Sequence, residues 1–232
     1  MTPINLESIR ESCERFRLNV DDIATFYLSA RTSAELMCEV ADIESSELEL
    51  HVSDDFPRSW TTIRTPKDVI DLYEQGEYER LNAYQSLVSV CSAFEALFSE
   101  LHEISDAPTM DKVVIRSYRR TGSFEIRNKA ACSVRAIHEH LGVNSPLNFD
   151  TAICWIYNYF LLRNIFVHER GVVTSTKKPR IVGELAETPV GDRLQITSNK
   201  LDDLFNFTKD HVSAFEERVT SKYDEQSVDR GA

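Results

Sequence analysis

Residues 77–101 read EYERLNAYQSLVSVCSAFEALFSEL, with Tyr78, Leu81, Tyr84, Leu87, Val88, Cys91, Phe94, Leu97, Phe98 and Leu101 recurring at steps of three and four. That spacing gathers every apolar side chain on one side of an α-helix. So long an apolar stripe is stable only when other elements cover it, so the segment predicts the first helix of a bundle. Gly76, immediately before it, is the candidate boundary between an N-terminal part, 1–76, and the bundle, 77–223.

Working toward the N-terminus, Leu6, Ile9, Cys13 and Phe16 predict one helix, and a second is expected from about Val20 through Ile23, Phe26, Tyr27, Ala30, Ala34 and Met37. Leu48, Leu50 and Val52 alternate with Glu47, Glu49 and His51, the period of a half-buried strand that Phe56-Pro57 would end. Thr65-Pro66-Lys67-Asp68 combines a capping hydroxyl, a first-turn proline and an early acid, and so predicts a short helix closing near Gly76.

Toward the C-terminus, Ser105-Asp106-Ala107-Pro108 breaks the long helix, and Thr121-Gly122-Ser123 punctuates before a helix expected over Phe124–Leu141, stopped by Gly142. Its residues Ile126, Ala130, Ala131, Val134, Ile137 and Leu141 are expected to face inward. Asp150 is a plausible cap for a third bundle helix running to Arg170, with Gly171 as a left-handed stop. Residues 172–192 read as loop, Arg193–Ile196 as a short strand, and Asn199 as the cap of a last helix with Leu201, Leu204, Phe205, Val212, Phe215, Val219 and Tyr223 on its apolar face. Residues 224–232 are polar enough for a disordered tail. The fold class is therefore all-α in the main: four long helices, an N-terminal helical extension and one or two short strands.

Composition sets the surroundings. The 232 residues are 42% hydrophobic, enough for one substantial core. The longest apolar stretch, Ala152 to Val167, is interrupted by Asn158, Arg163 and Asn164, so no membrane span is expected. The N-terminus lacks the basic start and apolar run of a secretion signal, and a cytoplasmic location is expected. Five scattered cysteines (13, 38, 91, 132 and 154) form no C-x-x-C pair and read as reduced core residues. No thiol nucleophile is assigned.

A formal charge of −12 argues against a protein that coats nucleic acid indiscriminately. The charge is unevenly spread. Between 112 and 135, seven bases (Lys112, Arg116, Arg119, Arg120, Arg127, Lys129 and Arg135) face the single acid Glu125, and Lys177, Lys178 and Arg180 follow. Residues 1–60 hold thirteen acids against five arginines. A local basic face on an acidic chain suits selective phosphate contact, because charges act within about 8 Å at physiological salt. The same residues also suit a merely solvated helix face.

The segment that carries chemistry is Ile156-Tyr-Asn-Tyr-Phe-Leu-Leu-Arg163-Asn164-Ile-Phe-Val-His168-Glu-Arg-Gly171. An arginine, an asparagine and a histidine inside an apolar helix must be paired or functional, since leaving such groups dry and unpaired costs several kcal/mol. Arg163 and His168 are five apart, and so point roughly 140° apart on an ideal helix; Asn164 and His168 share a face. To reach one phosphate, the last turn must distort, the arginine must reach round, or a second copy of the helix must contribute. The residue types suit RNA cleavage. An imidazole, with an unperturbed pKa of about 6.5, can take the proton of a ribose 2′-hydroxyl or supply one to the departing 5′-oxygen. A guanidinium offers a planar fork to the phosphate and stabilises the charge that develops. No metal is needed for that chemistry, and no metal site or cofactor is expected. His138 and His140, two apart, read as surface histidines.

At these residues the chain resembles the HEPN superfamily, whose members carry an Arg, four to six residues and a His, very often with Asn or His directly after the Arg. The spacing here is four and the following residue is Asn164. The helix over Tyr84–Leu101 is also similar to that family's first long helix, with the acid Glu95 inside an apolar run. The resemblance covers residues 77–223. It implies a HEPN-like bundle that forms a homodimer, Arg163 and His168 as catalytic residues of a composite site, and a metal-independent endoribonuclease. Asn164 and Glu95 would support the site, with Glu95 orienting Arg163 or His168 or simply facing solvent. Arg116, Arg119, Arg120, Arg127, Lys129, Lys177 and Lys178 would bind RNA. Toxin–antitoxin and anti-phage systems are the implied setting, with an antitoxin or other defence protein as partner. The alternative is a non-catalytic HEPN module that binds RNA or nucleotide, or a partner protein; a pure interaction protein is a third possibility.

Overall fold

In a computed structural model of the chain, residues 5–40, 66–116, 123–143, 149–180 and 187–229 are described. They form six α-helices and one two-stranded sheet: α1 Leu6–Val40, α2 Pro66–Glu74, α3 Glu77–Ser105, β1 Val113–Arg116, β2 Ser123–Ile126, α4 Lys129–Leu141, α5 Phe149–Glu169 and α6 Ser198–Asp229. The chain is mainly helical, as its periodicity requires. None of these helices is long and apolar enough to cross a membrane.

The first forty residues hold one helix instead of the two expected. Nothing between Phe16 and Val20 is a glycine or proline, so no residue there forces a break, and Phe16, Val20 and Tyr27 are all buried. The strand expected over Leu48–Val52 lies outside the described residues. Gly76 adopts the left-handed conformation (φ 69°) in the turn between α2 and α3. The core runs across that turn: Ile9, Cys13, Phe16, Val20 and Tyr27 of α1 join Leu87, Val90, Phe94, Phe98 and Leu101 of α3 in one buried cluster.

The segment expected to begin a helix at Phe124 is instead the second strand of a hairpin. Val113 pairs with Ile126 and Val114 with Glu125, so Val113 and Ile126 are buried while Val114 and Glu125 face water. The helix then starts at Lys129 because the Asn128 side chain accepts from the Ala131 N–H at 3.0 Å. Gly142 ends it at φ 62°, as its position predicts.

α4 and α5 lie side by side, fastened where Arg135 meets Asp150 at 3.5 Å. Beyond α5 the expected strand over Arg193–Ile196 is reduced to a single antiparallel bridge between Val172 and Arg193. The last helix is capped by Thr197, whose hydroxyl accepts from the Lys200 N–H at 3.4 Å, in place of Asn199. It continues to Asp229, through most of the stretch expected as a polar tail.

Candidate functional site

α5 is buried on most of its circumference, and the exposed strip shifts around the helix along its length. Near its C-terminal end Leu161, Leu162, Ile165 and Phe166 are buried, Val167 and His168 are exposed, and Arg163 and Asn164 are half-buried. On a helix surface Val167 neighbours both Arg163 and Asn164, and His168 neighbours Asn164, so the four make one continuous patch. Asn164 and Val167 lie between the arginine at one edge and the histidine at the other.

The helix is regular through Glu169, so the last turn does not distort to bring the two together. Arg163 and His168 therefore stay about 140° apart around the axis and about 7.5 Å apart along it. The chain leaves the helix only afterwards, with Arg170 (φ 53°) and Gly171 (φ 81°) both left-handed. A Cβ on Gly171 would come within 2.9 Å of the Phe166 ring, which itself stacks on Tyr84 of α3 at 5.1 Å. Gly171 thus fixes where α5 stops, and through Phe166 how its last turn seats on α3.

Arg163 points toward α3. Its Nη2 stands 3.4 Å from Oε2 of Glu95, its Nη1 donates to Oδ1 of Asn164 at 3.4 Å, and its guanidinium lies 5.7 Å from the centre of the Phe160 ring. Nε is buried and has no hydrogen-bond partner among the described residues. Both contacts are near the long limit for a hydrogen bond, and a guanidinium has five donors to place. The fork is held in position with much of its donor capacity unused, which a phosphate can take up. His168 is different: it stands exposed in the last turn, without a hydrogen bond or ion pair to any described residue.

The basic residues divide. Arg127 and Lys112 both bind Glu125, at 2.6 and 2.9 Å, and Arg135 is held by Glu139 and Asp150, so much of the charge of 112–135 is compensated locally. Lys129 is exposed in the first turn of α4. Arg116 closes β1 opposite Ser123, and Arg119 and Arg120 lie outside the described residues. Lys177 and Lys178 are half-buried, and the Lys178 ammonium donates to the Thr188 carbonyl. Arg180 ends the 3-10 turn Lys178–Arg180; burial raises the Tyr157 phenol, and the charge of Arg180 works against that rise. The structure brings Arg163, Asn164 and Glu95 together, and leaves His168 at the other edge of the α5 patch from Arg163.

Burial raises all five thiols above their ordinary value. Cys13, Cys91 and Cys132 are buried, all five are free, and burial pushes the Cys13 and Cys91 thiols up to about 12. Among the described residues no group of three or more His, Cys, Asp or Glu is placed to hold a metal ion.

His138 overturns its expected place. It is 1% exposed, with Nδ1 3.2 Å from the Val143 carbonyl, while His140 is exposed as expected. His138 follows Val134 by four and precedes Leu141 by three, so it lies on the inward stripe of α4. Sequence reasoning also missed His211, which is 2% exposed. The signal was present: His211 lies four before Phe215 and seven after Leu204, inside the apolar stripe of the last helix.

No family model, no curated protein and no solved structure matches this chain.

Proposed function

We propose that the chain is a metal-independent endoribonuclease in which Arg163 of one protomer and His168 of another act on the same RNA phosphate. One observation carries this reading: on a regular α5, an exposed imidazole and a half-satisfied guanidinium border one surface patch, yet point too far apart to meet on a phosphate within a single chain. Two-fold pairing of α5 C-terminal ends, an isologous contact that repeats one patch on both partners, would set each arginine against the partner subunit's imidazole.

In that arrangement the imidazole removes the 2′-hydroxyl proton, the 2′-oxygen attacks phosphorus, and the 5′-oxygen leaves with a proton from solvent water, the imidazolium returning its own proton to the hydroxide that remains. The guanidinium holds the phosphate and takes up the charge of the transition state. Cleavage then leaves a 2′,3′-cyclic phosphate and a 5′-hydroxyl. Glu95 positions Arg163 over Phe160, and the basic residues of 177–180 contact the strand. A toxin or anti-phage setting, with a protein partner that restrains the nuclease, follows from the HEPN resemblance.

The test is incubation of the purified chain with RNA in EDTA. Cyclic-phosphate ends that vanish with Arg163→Ala and with His168→Ala, both still folded, are expected. Cutting that survives both substitutions would refute the reading. A second reading, a non-catalytic RNA-binding or partner-binding HEPN module, is favoured by the engagement of Arg163 with Glu95; it predicts RNA affinity without cleavage.

A further inference from the structure

Trp155, Tyr159, Arg163 and Val167 follow one another at steps of four, so they stand in one row along α5. The row is open to solvent at both ends, Trp155 at 39% and Val167 at 44%, with Tyr159 and Arg163 half-buried between them. At its N-terminal end three rings from two helices form a ledge. Trp155 stacks on Phe207 of α6 at 5.4 Å and 25°, and Tyr159 stands 5.8 Å from Trp155 and 6.2 Å from Phe207. Phe207 stacks in turn on the buried His211 at 5.8 Å, which anchors the ledge in the core while Trp155 keeps its open surface.

A ring held at an open surface offers a flat face, and any nucleobase can stack on one. The charges along the row decide which ligand fits. At Arg163 the guanidinium has two long contacts, both of 3.4 Å, and an Nε without a hydrogen-bond partner among the described residues, so it can take a phosphate. At the other end the charge of Asp203 is felt at the Tyr159 phenol, which burial keeps neutral. An acid there repels a phosphate and leaves a neutral base undisturbed. Flat uncharged groups at one end and an anion at the other are what a nucleic-acid strand presents when its bases are unpaired; in a duplex the base faces are already covered.

We infer that Trp155, backed by Phe207 and Tyr159, is a base-stacking platform for single-stranded RNA whose backbone is held at Arg163, so that the chain selects unpaired RNA. That the strand is RNA rests on the nuclease reading above. Trp155 and Arg163 are eight residues apart, about 12 Å along the axis, which is the rise of three to four stacked nucleotides at about 3.4 Å each. The stacked base therefore lies within about four nucleotides of the phosphate at Arg163. Trp155 precedes His168 by thirteen residues, about 20 Å, so pairing of the α5 C-terminal ends leaves the ledge open. The platform holds the strand and takes no part in the proton transfers.

The test uses a Trp60→Phe chain, in which Trp155 is the sole tryptophan, and an all-2′-O-methyl RNA hexamer, which cannot be cut by 2′-hydroxyl attack. The hexamer should quench Trp155 emission saturably, and the same hexamer paired with its complement should not. By anisotropy of a labelled hexamer, Trp155→Ala should bind about tenfold more weakly and Trp155→Phe close to the parent chain. On cleavable RNA, Trp155→Ala should raise KM and leave kcat nearly unchanged. Saturable quenching in a chain that cuts no RNA upholds the platform and sinks the nuclease. Cleavage whose KM is untouched by Trp155→Ala does the reverse. Emission that no hexamer quenches, equal affinity for the duplex, or emission that shifts with protein concentration in the absence of RNA, marking a contact between copies, also overturns the platform. If Trp155→Ala fails to fold, the quenching and the duplex comparison decide.

Discussion

Glu95 of α3 and Arg163 of α5 hold each other across the helix interface at 3.4 Å, with side chains 29% and 27% exposed. The contact places the guanidinium on the opposite edge of the α5 patch from His168. A pair this exposed contributes little to stability, about 1 kcal/mol or less. Glu95→Gln should therefore leave the denaturant midpoint nearly unchanged. Glu95→Ala, which leaves Arg163 without its α3 anchor, should lower RNA cleavage on the order of tenfold by mispositioning, with Glu95→Gln close to the parent chain. A urea titration beside a cleavage assay measures both.

Gly171 should tolerate no side chain. Its φ of 81° costs a non-glycine residue roughly 1–2 kcal/mol, and a methyl group would stand 2.9 Å from Phe166. Gly171→Ala is expected to destabilise the chain by about 2 kcal/mol and to disturb the Phe166–Tyr84 stack, moving the turn that carries His168. Thermal unfolding and the chemical shifts of the Phe166 ring read the two effects separately.

Removing the helix cap at Asn128 tests the boundary between β2 and α4. Asn128→Ala deletes the acceptor for the Ala131 N–H and should cost about 1 kcal/mol. The loss should appear as faster amide exchange in the first turn of α4.

Stability should also depend on pH through the core. Burial lowers His138 to about 4 and holds His211 to about 3, against an ordinary value of 6.5. The unfolded chain then binds more protons than the folded one wherever pH lies below the unfolded value. Stability is complete above about pH 6.5 and is lost as pH falls toward the folded values, by on the order of 2 kcal/mol per imidazole at pH 5. A melting temperature that is flat between pH 7 and 5 would contradict the burial of the pair.

Much of the architecture was legible because it depends on local periodicity. Of the stripe from Tyr78 to Leu101, Leu87, Cys91, Phe94, Leu97, Phe98 and Leu101 are buried as expected, whereas Tyr78, Tyr84 and Val88 are half-buried and Leu81 is exposed; Gly142 and Gly171 end their helices in the left-handed conformation. The hairpin was not legible, because Phe124-Glu-Ile126 is too short to separate a strand from a first helical turn, and only pairing with Val113–Arg116 decides it. His138 was misplaced because histidine suits both surface and core, and what buries it is a ring on another helix, His211. Arg163 and His168 could be read as candidates, but which way each points depends on α3. The mutual approach of Glu95 and Arg163 is a fact of packing between helices 68 residues apart in sequence.

The measurement that bears most directly on the composite site is complementation between two inactive chains. Arg163→Ala and His168→Ala proteins are unfolded together, refolded as a mixture and assayed on RNA in EDTA. If Arg163 works with the partner's His168, mixed dimers hold one intact site, and about a quarter of the parent activity returns. If the mixture stays as inactive as its components while mixed dimers are present, the two residues do not meet across the dimer and the account fails.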